Sequence, residues 1–299
     1  MNAFNFSIVI PHKNTPKLLQ RCLDSIPVRD DLHIVIVDDN SDAHIVDFNN
    51  FPGSERTSTD IVFSKGKNGK GPGYARNLGM SKAKGKWIIF SDSDDYFTNS
   101  FPALLDTYAN SNKEIIFFKC LRHNEHNTID DYPLINNAID MAIETGHADS
   151  ISYGVPCPWG KFIKRDFLQN NQIKYQEITG GDDILFSIRM AIKLKSYAIS
   201  EERLYCVVDR PGSLTRNNKW RSFYSYSKAC LESYKLLKPV AKEKLAKDWL
   251  ASWWGFLWAE NKYRALSLIP AVYNTMGIKN ASYSLRKGIK RGSWNWRNA

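Results

Sequence analysis

The chain has 299 residues, 43% apolar content and a formal net charge of +10, enough to bury a large core as one domain or a domain with an appendage. It has no run of about 18 apolar residues, so no membrane-spanning helix is predicted. The apolar stretch at 5–11 is too short for a signal-peptide core.

The charge is uneven. The last 83 residues hold 16 Lys and Arg against four acids, and seven of the nine tryptophans. This predicts a nearly neutral α/β unit over 1–216, with halves at 1–100 and 101–216, followed by a basic, aromatic, helical region over 217–299. The boundary is placed near Arg216. Cys22, Cys120, Cys157, Cys206 and Cys230 stand far apart with no Cys-x-x-Cys pair. They read as reduced structural thiols of a cytoplasmic protein.

In chain order, residues 6–10 form a short apolar run ended by Pro11, a buried strand in form. Leu18, Leu19, Cys22, Leu23 and Ile26 then recur at helical spacing, with Pro16 in the first turn and Pro27 as the stop. A second strand is predicted at 32–37 and a weaker one at 61–63. Strand, helix, strand in this order implies a parallel right-handed unit. The glycine-rich loop at 66–73 leads into a helix at 74–84, stopped by Gly85. A strand at 87–90 follows, then a helix at 101–109 and a strand at 114–120. Over 121–152 the pattern fades and reads as an insertion. Residues 156–162 read as a rigid loop before a short helix at 165–170. Ile184, Leu185, Ile188, Ala191 and Ile192 mark a helix face, and 198–200 and 204–208 two short strands. Tail helices are predicted at 219–237 and 239–263.

Three acidic clusters sit where elements begin or end: Asp38 with Asp39, Asp92 with Asp94 and Asp95, and Asp182 with Asp183. The first two follow parallel strands, so they face one sheet edge, the usual ligand side of open α/β sheets. Three carboxylates in four positions repel unless a cation lies between them, and a hard divalent ion holding phosphate oxygens answers that need. Helix caps and polar turns are the plainer alternative, since Asp is common in both. The loop at 69–73 lacks the Gly-Lys-Ser/Thr of a Walker loop.

Four motifs then stand in order: Ser-Ile-Val-Ile-Pro-His-Lys-Asn at 7–14, Ile-Val-Asp-Asp-Asn-Ser at 36–41, Gly-Tyr-Ala-Arg-Asn-Leu-Gly at 73–79 and Phe-Ser-Asp-Ser-Asp-Asp-Tyr at 90–96. Together they resemble glycosyltransferase family 2, the inverting group with the GT-A fold. Trp-Gly-Lys at 159–161, Gly-Asp-Asp-Ile-Leu-Phe at 181–186 and Arg-Pro-Gly-Ser-Leu-Thr at 210–215 extend the likeness toward bacterial capsule and lipopolysaccharide enzymes. The resemblance implies an α/β fold with a Rossmann-like, mostly parallel sheet flanked by helices. It places Pro11, Asp38 and Asp39 at the nucleotide, and Arg76, Asn77 and Ser93 at the sugar diphosphate. It makes Asp92, Asp94 and Asp95 the metal motif for Mn2+ or Mg2+. The family's catalytic base falls on Asp183, but the usual Glu-Asp pair is here Asp182-Asp183, so either aspartate remains a candidate.

The residue types suit transfer from a nucleotide-sugar donor, a uridine diphosphate sugar above all. A metal stabilises the departing diphosphate, and a carboxylate takes the acceptor's proton. Arg210 suits paired phosphate oxygens, with a surface turn as its alternative. Trp159 and Lys161 suit a glycan or lipid-linked acceptor, with core packing as the alternative for Trp159. Lys, Arg and Trp over 249–299 suit an anionic membrane surface; nucleic acid is the less favoured partner. The rival functions are a nucleotidyltransferase making sugar nucleotides and a nucleic-acid-binding protein without catalysis.

Overall fold

The computed structural model describes residues 4–64, 69–178, 180–210, 220–240 and 242–291. In chain order the elements are β1 (Phe6–His12), α1 (Pro16–Asp24), β2 (Leu32–Asp38), β3 (Thr59–Phe63), α2 (Pro72–Lys82), β4 (Trp87–Phe90), β5 (Tyr96–Phe97), α3 (Phe101–Tyr108), β6 (Ile115–His123), β7 (Ile129–Asp131), α4 (Pro133–Thr145), α5 (Asp149–Gly154), β8 (Lys161–Lys164), α6 (Arg165–Asn170), α7 (Asp182–Lys193), β9 (Tyr197–Val208), α8 (Trp220–Leu237), α9 (Glu243–Glu260), α10 (Lys262–Ser267) and α11 (Ile269–Arg291).

The strands join one mixed sheet in the order β3-β2-β1-β4-β8-β6-β9-β5, with β7 on β6. Pairing among β1 to β4 is parallel, and so is the long β6–β9 ladder. Parallel strands buried on both faces read as continuous apolar runs. That is why β1, β2 and β4 are plain in the sequence: every residue of β2 and β4 is buried. Parallel register also aligns strand ends, and His12 pairs with Asp38 at the last rung of β1 and β2. The acidic turns after β2 and β4 therefore open on the same edge.

Two glycines set how closely α2 approaches its neighbours. A Cβ on Gly79 would lie 2.3 Å from Cγ1 of Val9, and one on Gly73 2.1 Å from the carbonyl oxygen of Gln176. The first contact seats α2 on β1. The second presses its N-terminus against the segment that leads into α7.

Several expectations are corrected. Pro11 does not end β1; it pairs with Val37 inside the ladder. Residues 121–152 are structured, with α4 burying Ile135, Ile139 and Ala142. Interleaved Asn and Asp hide the helical period there. The stretch at 156–162 does not stay a loop, because Lys161 already begins β8. The two short strands at 198–208 are one strand, β9, whose ladder with β6 shifts register beside Lys119. Helix α2 starts at Pro72, two residues before the expected start.

The C-terminal helices carry an apolar cluster of their own, including Leu237, Leu250, Trp254, Leu257 and Val272, which also takes in Ile184 and Ile188 of α7. Helix α7 thus packs on the basic region on one face while its N-terminus meets the sheet edge. Among the described residues no helix is long and apolar enough to cross a membrane. The expected boundary at Arg216, the 211–215 turn, Gly66 of the glycine-rich loop, and Trp294 and Trp296 lie outside the described residues.

Candidate active site

Arg76 lies at the centre. Its side chain projects from α2 and is 6% exposed. One terminal nitrogen donates to Asp92 Oδ1 at 2.6 Å and the other to Asp182 Oδ2 at 2.8 Å. The guanidinium carbon lies 5.4 Å from the ring centre of Tyr175. A planar fork with two donors facing apart is what allows one side chain to hold two carboxylates from separate elements. The acidic turn after β4 and the start of α7 are joined through this residue.

The turn after β4 is fixed from several directions. Arg210 Nε donates to Asp94 Oδ2 at 2.7 Å, and Arg21 of α1 donates to the Asp94 carbonyl. Ser93 Oγ stands 3.2 Å from Thr15 Oγ1. Asp95 is buried and accepts from the Val208 amide at 2.8 Å. Burial first, then the neighbouring Asp92 and Asp94 charges, hold the Asp95 carboxyl well above the usual carboxylate range. Asp94 is pushed up as well, by burial and then by Asp92, against the pull of Arg210.

The turn after β2 is also tied down. Asp38 Oδ2 is 2.8 Å from His12 Nδ1 and accepts from Ser41 Oγ at 2.5 Å, while Oδ1 accepts from the Ser41 amide at 2.9 Å. Burial would raise the Asp38 carboxyl, but the His12 and Ser41 hydrogen bonds outweigh it and leave it lowered. Asp39 takes the amides of Lys70 and Gly71, each at 2.8 Å. It therefore fastens the glycine-rich loop to the sheet edge. Each oxygen retains a second lone pair.

At the start of α7 the two aspartates differ. Asp182 is committed to Arg76. Asp183 is half-buried, and no side chain donates to its carboxylate among the described residues. Burial, then the Asp182 charge, push its carboxyl up to about 7. Helix N-termini lower carboxylate pKa values; here desolvation and a like charge win.

Other predicted residues lie further back. Asn77 exchanges two hydrogen bonds with the Tyr175 backbone, at 3.0 and 2.9 Å, so its amide group pins the 175–177 segment to α2. Trp159 is 9% exposed and stacks between Tyr132 and Tyr205. Lys161 is 2% exposed and donates to the Cys157 carbonyl at 2.5 Å. Pro11 is half-buried on β1.

Sequence reasoning missed Tyr205. Its hydroxyl accepts the Asp92 amide at 2.8 Å and stands 3.3 Å from Ser91 Oγ. No local signal marks it, since it sits in a run of three buried residues, Leu204 to Cys206, as an ordinary core residue would. Tyr205→Phe keeps the ring stack and removes the acceptor of a buried amide. It should cost about 1–2 kcal/mol of stability and raise the donor KM several-fold. Thermal denaturation and donor saturation curves check this, and an unchanged donor KM would remove the hydroxyl from the site.

Among the described residues no three His, Cys, Asp or Glu side chains gather as a complete ligand set. The second oxygens of Asp92 and Asp94 take no hydrogen bond among those residues. One or two carboxylates with the balance from phosphate oxygens is how magnesium-type ions are commonly held. The residues fit a hard divalent cation shared with a diphosphate.

An α/β sheet with carboxylates gathered at its strand ends defines the class, and the comparisons narrow it. Residues 7–171 match the sequence model described as Glycosyl transferase family 2. The chain belongs to that family, and its sheet and flanking helices form a GT-A-like fold. It is 30% identical over 218 residues to the poly(ribitol-phosphate) beta-glucosyltransferase of Bacillus spizizenii, covering 69% of this chain and 32% of that protein. It is 25% identical over 251 residues to the GalNAc(5)-diNAcBac-PP-undecaprenol beta-1,3-glucosyltransferase of Campylobacter jejuni, covering 81% and 77%. The chain thus spans about a third of the first relative's length. Residues 1–349 of S. aureus TarS, solved with UDP-GlcNAc, superpose with a TM-score of 0.69 at 17% identity, covering 96% of this chain and 89% of that one.

Proposed function

We propose that the chain is an inverting, divalent-cation-dependent glycosyltransferase of bacterial surface polysaccharide assembly. It moves a sugar from a uridine diphosphate donor to a polyol-phosphate or lipid-linked glycan acceptor. The observation that carries this is the asymmetry at α7. Asp182 is paired with Arg76, while no side chain donates to the Asp183 carboxylate among the described residues and its carboxyl is pushed up to about 7. A general base works best with a pKa close to the working pH. The base is therefore assigned to Asp183, with Asp182 as its orienting neighbour.

In this mechanism Asp39 accepts from the nucleotide base, and Asp38 keeps that turn rigid. Asp92 and Asp94 hold the diphosphate side. A divalent cation there, manganese or magnesium, supplies charge neutralisation for the leaving group. Arg210 shifts from Asp94 toward the phosphates as the donor arrives, and Arg76 keeps the donor turn in register with α7. Asp183 takes the acceptor hydroxyl's proton from the face opposite the diphosphate, which inverts the anomeric centre. Trp159 and Lys161, both buried, back the acceptor side of the site and help to exclude water from the oxocarbenium-like transition state. The names of the relatives suggest the acceptor classes and the UDP-GlcNAc bound to TarS the donor class, and the basic C-terminal region supports peripheral attachment at the cytoplasmic membrane face.

Titration calorimetry with uridine diphosphate checks the donor half. Manganese should tighten binding at least about tenfold, since a cation held by Asp92 and Asp94 would offset their charge beside the diphosphate. A screen of uridine diphosphate sugars for slow hydrolysis then identifies the donor. Binding indifferent to metal, with no sugar nucleotide hydrolysed, would overturn the assignment.

A further inference from the structure

The outer surface of α10 and the first half of α11 is unlike the rest of the basic C-terminal region. From Ala265 to Ile278 the chain runs 14 residues without one charge, inside a region carrying 16 Lys and Arg. One side of this stretch is core: Ala265, Leu268, Val272 and Met276 are buried. The opposite side is in solvent, through Tyr263, Leu266, Pro270, Ala271 and Asn274. At 100° per residue these five fall on one stripe. Tyr263 is 86% exposed, and Ile278, just past the break at Gly277, is 76% exposed.

Cations bracket this uncharged stripe. Lys262 and Arg264 flank Tyr263, about 100° to either side on the helix wheel, and Lys262 lies 5.9 Å from the Trp258 ring centre. At the far end Lys279 is exposed, beside Asn280, which donates to Tyr234 at 2.8 Å. Lys238, one turn beyond Tyr234, and Lys244 are exposed as well. An uncharged stripe with a tyrosine, edged by long cationic side chains, is the form of a helix lying in a headgroup layer. A partner protein of ordinary surface chemistry would not need cations at both ends; an anionic lipid surface does.

We propose that the outer face of α10 and the first half of α11 is the surface by which this protein lies on an anionic bilayer. Tyr263, Leu266 and Ile278 enter the headgroup region, and Lys262 and Lys279 meet lipid phosphates. The proposal rests on the peripheral-membrane part of the reading above and gives it a location within the described residues, separate from Trp294 and Trp296.

The test is co-sedimentation of the full chain with phosphatidylcholine vesicles, with and without phosphatidylglycerol, and with donor hydrolysis measured on each sample. The wild type should bind the anionic vesicles far better than the neutral ones. The double variant Tyr263→Glu/Ile278→Glu should bind at least about tenfold more weakly, since it removes apolar insertion and adds repulsion. Its donor hydrolysis should be unchanged, which also shows that it is folded. Ile143→Glu, at an exposed apolar position of α4, should bind as the wild type does. No binding by the wild type, or full binding by the double variant, would overturn the proposal. Self-association of the wild type that the double variant abolishes would assign the face to a second copy instead. Absence of hydrolysis in the wild type would count against the catalytic reading and leave the vesicle result intact.

Discussion

Asp183→Asn abolishes sugar transfer, by about 10^3-fold in kcat, and leaves donor binding close to wild type. No side chain donates to the carboxylate among the described residues, and Arg76 pairs with Asp182 instead, so its loss disturbs neither Arg76 nor the acidic turn. Transfer by the wild type rises with pH through about 7 and then levels, because the base must be ionised and burial beside Asp182 sets its carboxyl there. The residual rate of the Asn variant lacks that limb. Stability runs the other way. A carboxyl raised in the folded state binds its proton more tightly there than in the unfolded chain. The contribution is full below the ordinary carboxylate pKa and is lost as pH rises through about 7. The unliganded protein should therefore lose melting temperature over that interval, and Asp183→Asn should lose less. Rate profiles and melting curves across that pH range check both. Full transfer by the Asn variant would reassign the base.

Arg76→Met should be the most destabilising single change at the site. The side chain is 6% exposed and its two ion pairs run to Asp92 and Asp182. Removing one partner from a buried ion pair costs about 3–5 kcal/mol, because the remaining charges are left without compensation. Here two carboxylates are stranded, beside Asp183 and Asp94, whose carboxyls are already raised by burial and like charge. Arg76→Lys should recover only part of the loss, since an ammonium lacks the fork that reaches both. Denaturant titration measures the stability, and donor titration shows whether the turn after β4 still binds. A melting point unchanged in Arg76→Met would mean that the two carboxylates find other partners and that Arg76 does not join the two halves of the site.

The described structure also shows how particular readings succeeded and failed. Asp92, Asp94 and Asp95 are legible because they follow four apolar residues, and β4 is indeed buried throughout. The missed helix α4 shows the reverse: Asn136 sits on its buried side and makes two hydrogen bonds to the Cys120 backbone, so a polar residue interrupts the apolar period. Lys161 and Trp159 look like binding residues by type, yet one is 2% and the other 9% exposed. Burial of a lysine tip on a backbone carbonyl leaves no local trace.

What the sequence by itself determined is the framework: parallel strands β1, β2 and β4 with acidic ends on one edge, the family, and the aspartates proposed for the chemistry. These follow from short-range pattern, namely apolar runs, helical period, caps and motif order. What only the tertiary structure decided is which carboxylates pair with Arg76 and which takes no side-chain hydrogen bond among the described residues. Arg76 and Asp182 are 106 residues apart, and Asp92 and Tyr205 are 113 apart. Those pairings depend on β9 joining β6 and β5, on the closeness allowed by Gly73, and on the packing of α7. Such partnerships arise from chain path and desolvation, which local sequence does not encode.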